Sequence, residues 1–138
     1  MNRKKATIAC LLLSQVSACN AVLAEHEGNK ALVLVESRAG HHLSAQRIDG
    51  KKVTDGRFFI LEPGQHKLSV RLSYERGGQI GYSGWRHCLA EIAYANFRAT
   101  EKYSIRAYAK GYTARVWLQN EQGERLVESQ SVPCGPQY

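Results

Sequence analysis

Residues 48–74 read IDGKKVTDGRFFILEPGQHKLSVRLSY, and this stretch decides the fold. In its second half Leu68, Val70, Leu72 and Tyr74 fall on one parity, while Lys67, Ser69, Arg71 and Ser73 fall on the other. Opposite polarity at period two predicts a half-buried antiparallel strand. Glu62-Pro63-Gly64-Gln65 ahead of it suits a tight turn, because Pro63 presets φ and Gly64 tolerates a positive one. Residues 58–61 are therefore expected to pair back on residues 67–74. Asp49-Gly50 marks a second turn, joining residues 45–48 to residues 51–53. The expectation for this stretch is a three-strand meander.

Working outward, Lys102 onward alternates as clearly. Tyr103, Ile105 and Ala107 oppose Ser104, Arg106 and Tyr108; Tyr112, Ala114, Val116 and Leu118 oppose Thr113, Arg115, Trp117 and Gln119. These predict two antiparallel strands turning at Lys110-Gly111, and NEQGE at 120–124 predicts a hairpin returning the chain through residues 125–132. The apolar run at 31–35 reads as a central strand. Residues 88–99 (CLAEIAYANFRA) fit both a helical stripe through Leu89, Ile92, Ala93 and Phe97 and a strand face through Cys88, Ala90, Ile92 and Tyr94. The β context favours the strand. Between them, ERGGQIGYSGWRH at 75–87 carries four glycines and reads as a long mobile loop. The sum is an all-β antiparallel sandwich of about seven to eight strands, immunoglobulin-like or transthyretin-like.

The first residues carry a different signal. Arg3, Lys4 and Lys5 precede a short apolar run, the pattern of a signal peptide over residues 1–18. Val16-Ser17-Ala18-Cys19 resembles a bacterial lipobox, which makes Cys19 the lipidation site and the first mature residue. Asn20 after it is the pattern of an outer-membrane lipoprotein facing the periplasm. Ordinary cleavage after Ala24, giving a soluble periplasmic or secreted protein, is the alternative. Residues 19–30 then form a polar tether, and residues 31–138 the β-sandwich domain.

Removing residues 1–18 takes three of the 19 basic residues and no acidic one, lowering the formal charge from +7 to +4. That excess suits anionic headgroups or acidic glycans. Export and the modest charge argue against nucleic acid as a partner. Among the four cysteines, Cys10 lies in the leader and Cys19 at the lipid site, leaving Cys88 and Cys134 to form a disulfide in an oxidising compartment.

Ile48-Asp49-Gly50 followed by LEPGQHKLSV at 61–70 resembles the PEGA modules of bacterial envelope proteins, with their "V-D-G" turn and "L-x-P-G-x-H-x-L-x-V". The chain as a whole resembles small secreted or lipidated β-sandwich proteins of Gram-negative bacteria. Both resemblances imply a fold and a compartment, and neither transfers catalytic residues.

No catalytic signature is present: there is no G-x-S-x-G elbow or phosphate loop, and Asp49 and Asp55, the two aspartates, sit beside turn glycines. A cofactor is not expected. Tyr82, Trp85 and Arg86 in the glycine-rich loop, with Trp117 on the polar parity of its strand, form the candidate surface for a protein or glycan partner. Histidines 41, 42 and 87 supply the alternative, a periplasmic copper or zinc site, although adjacent His41 and His42 face opposite sides of a strand. The expected function is thus a non-catalytic, lipid-anchored envelope protein that binds a partner.

Overall fold

A computed structural model describes residues 28–77 and 84–136. The leader, Cys19, Ala24, most of the tether and Tyr82 lie outside the described residues. Ten strands are described: β1 (Ala31–Val35), β2 (His41–Ile48), β3 (Lys51–Lys52), β4 (Phe58–Leu61), β5 (Gly64–Glu75), β6 (Trp85–Phe97), β7 (Lys102–Lys110), β8 (Thr113–Asn120), β9 (Arg125–Glu128) and β10 (Val132–Pro133).

They form two sheets. The four-stranded sheet runs β3-β2-β5-β6; the six-stranded one runs β10-β8-β7-β1-β4, with β9 also on β8. Leu68, Val70, Leu72 and Tyr74 of β5 point inward as their alternation predicts, and meet Val33, Phe59, Ile105, Val116 and Leu118 of the other sheet in one core. Inward parity on both sheets is what lets ten short strands bury a shared interior.

Three expectations need correction. Residues 58–61 do not pair back on β5: β4 pairs with β1 in the other sheet, with Leu61 opposite Ala31 and Phe59 opposite Val33. Pro63-Gly64 is therefore a corner between sheets, where Gly64 takes φ 119°. The reason is that β5 already has a partner on each side, β2 and β6, so the meander is interrupted. Second, the sandwich is not wholly antiparallel, because β1 runs parallel to β7. Third, the glycine-rich loop is shorter than the sequence suggests. Glu75 pairs with Trp85, and Trp85, Arg86 and His87 belong to β6.

Other readings hold. Residues 88–97 are strand, with Cys88, Ala90 and Ile92 inward. Asp49 and Gly50, both at positive φ, turn β2 into β3. Within the PEGA-like segment, the Asp49 carboxylate accepts from the Lys67 N–H at 2.9 Å and contacts His66 Nδ1 at 2.6 Å, while His66 Nε2 lies 2.7 Å from the Glu62 carbonyl. One aspartate and one histidine thus clasp the Asp49-Gly50 turn to the Pro63-Gly64 corner.

Cys88 and Cys134 form the expected disulfide, joining β6 of one sheet to the segment after β10 of the other. Beside it, His87 and Gly135 exchange two backbone hydrogen bonds of 2.8 and 3.0 Å. The tail crosses from the edge of one sheet to the edge of the next and closes that side of the molecule.

Candidate functional site

At one end of the sandwich, residues at the ends of β5 and β6 meet the turn between β7 and β8. His41, Tyr74 and Arg86 stand in one cross-strand row, His41 opposite Tyr74 and Tyr74 opposite Arg86. The His41 and Tyr74 rings stack with centroids 5.6 Å apart and planes 11° apart. The Tyr74 hydroxyl reaches across the sheets and donates to the Gly111 carbonyl at 2.8 Å.

Gly111 and Tyr112 are the two residues of the β7–β8 turn, since Lys110 pairs with Thr113. That bond therefore fixes Tyr112, which is 53% exposed. Two guanidinium groups converge on its ring: Arg76 lies 4.1 Å from the centroid and Arg86 5.2 Å. Cation–π contact of this kind is worth about 0.5–1 kcal/mol at an exposed ring. Arg76 is itself held by its backbone, because its N–H donates to the Gly84 carbonyl at 2.7 Å. A side chain at Gly84 would collide with the Arg76 carbonyl, so only glycine closes the hairpin here.

The electrostatics are one-sided. Burial pushes the Tyr74 phenol above its ordinary pKa, and the positive charges of Arg86 and Arg76 pull against that rise. Neither arginine has an ion-pair partner among the described residues, and Arg86 Nε is buried without a hydrogen-bond partner among them.

Of the residues expected from sequence, Trp85 and Arg86 lie at this end. Trp85 shares the outward parity of His87 and is 45% exposed. Trp117 is elsewhere: it sits on the outer face of the six-stranded sheet, with the Arg125 guanidinium 4.2 Å over its ring and its indole N–H donating to Gln119 at 3.2 Å. The structure does not bring the two tryptophans together. Tyr112, Arg76 and Tyr74 join the site without having been expected there. Tyr112 is assigned inward by its alternation, but it belongs to a turn and points to solvent.

The three histidines proposed for metal also part. His41 faces inward on Tyr74, while His42 and His87 lie on the outer face on either side of Ser73. No cluster of three or more His, Cys, Asp or Glu suited to a metal is found among the described residues. His87 Nδ1 lies 2.8 Å from the Ser73 hydroxyl, and among the described residues no carboxylate hydrogen-bonds that imidazole. A concavity of about 690 Å³ on the same outer face is lined by Arg47, Arg71, Leu89, Glu91 and Val132.

No family model matches the chain, and neither a curated protein nor a solved structure is found to be similar to it.

Proposed function

We propose that this chain is a non-catalytic, lipid-anchored envelope protein that binds a protein or glycan partner through the end of the sandwich carrying Trp85, Tyr112, Arg76 and Arg86. The observation that carries this reading is an exposed tyrosine flanked by two arginines that lack carboxylate partners among the described residues. Exposed aromatics beside arginine are the residue types that dominate recognition surfaces, because they bury large area with little loss of rotamer freedom. On this reading the domain is an immunoglobulin-like or transthyretin-like sandwich used as a rigid stand, PEGA-like around the Asp49–His66 clasp. The anchor at Cys19 keeps it at the outer membrane facing the periplasm.

The Cys88–Cys134 bridge supports export, since disulfides persist in oxidising compartments. The test is affinity capture from crosslinked envelopes, comparing the native chain with Trp85→Ala and Tyr112→Ala. Loss of a captured species in both variants, with unchanged thermal stability, is the expected result. Equal capture by all three chains rejects this surface.

A further inference from the structure

We propose that Arg76 and Arg86, braced on Tyr112, form a receptor for a dianionic phosphate group, borne on a monoester or free. The inference rests on the binding reading above only in placing the interaction at this end of the sandwich.

Three features lead to it. Stacking on Tyr112 orders both guanidinium groups, and the planar fork of arginine matches a phosphate through paired hydrogen bonds. Among the described residues the two charges have no carboxylate partner. Residues 77–84, GGQIGYSG, contain no acidic residue. Glu75, the carboxylate nearest in sequence, stands on the outward parity of β5, opposite to Tyr74, and makes no ion pair among the described residues.

The third feature is that two arginines without an ion pair among the described residues share one aromatic ring. Arg57, Arg98, Arg106, Arg115 and Arg125 each lie within 4 Å of a carboxylate, at 2.6, 3.8, 2.6, 3.6 and 3.2 Å. Arg38, Arg47 and Arg71 also make no ion pair among the described residues, but Arg76 and Arg86 stand side by side on one ring. Two adjacent positive charges cost repulsion that a single carboxylate relieves only in part. A group that carries two negative charges and three terminal oxygens near neutral pH relieves it fully.

The source is a phosphorylated lipid headgroup or a free phosphate, and the test separates them. Equilibrium dialysis of the full chain with radiolabelled inorganic phosphate, at pH 7.5 and fixed ionic strength, is expected to show saturable binding of one phosphate per chain. Arg76→Gln and Arg86→Lys are expected to weaken it roughly tenfold each, the loss of one charge-assisted pair. Arg86→Lys keeps the charge and guards against misfolding; Tyr108→Phe, on the outer face of the six-stranded sheet, is expected to bind as the native chain does. Non-saturable uptake, equal binding by the arginine variants, or equal displacement by acetate overturns the receptor.

Flotation with vesicles of phosphatidylcholine containing phosphatidic acid or phosphatidylglycerol then identifies the source. Preference for phosphatidic acid, lost in Arg76→Gln, assigns the headgroup; phosphate binding without that preference assigns a free phosphate. If dialysis shows no binding while Trp85→Ala still abolishes capture from envelopes, the receptor is wrong and the partner surface stands. If phosphate binds and capture is indifferent to Trp85 and Tyr112, the partner reading fails and the receptor stands.

Discussion

The Tyr74 hydroxyl donates to the Gly111 carbonyl at 2.8 Å, tying the centre of the four-stranded sheet to a turn of the six-stranded one. Tyr74 is only 5% exposed, so its ring belongs to the core while its hydroxyl serves the site. Tyr74→Phe keeps the ring and removes the bond. The expected cost is about 1 kcal/mol in a denaturant midpoint. A further expected effect is a freer Tyr112 turn, read as faster hydrogen exchange at residues 111–113.

The disulfide holds the two sheets at their open side. Cys88 and Cys134 are 46 residues apart, and a closed loop of that length removes about 4 kcal/mol of denatured-state entropy in the chain model. Replacing both cysteines by alanine is expected to lower stability by about that amount. The same change should expose the tail after β10 to proteolysis, because backbone hydrogen bonds of Cys134 to Tyr112 and of Gly135 with His87 are then what holds it.

Asp49 makes stability depend on acid. The Lys67 N–H, and then His66, hold its carboxyl below its ordinary value of 3.8. A carboxyl with a lowered folded pKa contributes stability above its unfolded value, and that contribution disappears as pH falls through the lowered folded one. Asp49→Asn retains an acceptor for Lys67 and abolishes the titration. Its stability curve is expected to be flatter than the native curve below pH 4, measured by urea unfolding at stepped pH.

Tyr103 acts at the other extreme. Burial pushes its phenol up to about 12, and its hydroxyl donates to Glu101 at 2.8 Å while accepting from the Arg98 N–H at 3.1 Å. A raised folded pKa means that the contribution is complete below the unfolded value near 10 and is lost as pH rises toward 12. Tyr103→Phe should unfold less steeply across that interval than the native chain, with absorbance at alkaline pH reporting one fewer late-titrating tyrosine.

Much of the fold is legible because parity is local. Residues 68–74, 103–107 and 114–118 need only their own alternation to say which side is buried, and Asp49-Gly50 needs only two backbone angles. Partnership is not local. FFIL at 58–61 is apolar on both parities, so nothing in it says whether Pro63-Gly64 bends the chain back or over, and the structure takes it over to β1. The parallel pairing of β1 with β7 joins residues about seventy positions apart and leaves no mark in either strand.

The site was legible only in part for the same reason. Trp85 and Arg86 stand out in the sequence as aromatic and basic neighbours. Arg76 joins them through the Glu75–Trp85 pairing, and Tyr112 arrives from the opposite sheet. An alternating pattern that runs into a turn assigns Tyr112 to the interior. Its neighbour Gly111, with φ 63°, is the residue that marks where the strand stops.

Recognition at the Tyr112 end is tested by a photo-crosslinking amino acid placed at position 112 and compared with the same substitution at position 108. Both tyrosines are exposed, at 53% and 47%, but Tyr108 lies on the outer face of the six-stranded sheet. Adducts in the envelope from position 112 and none from position 108 are the predicted result. Adducts from position 108 alone, or from neither, would contradict it.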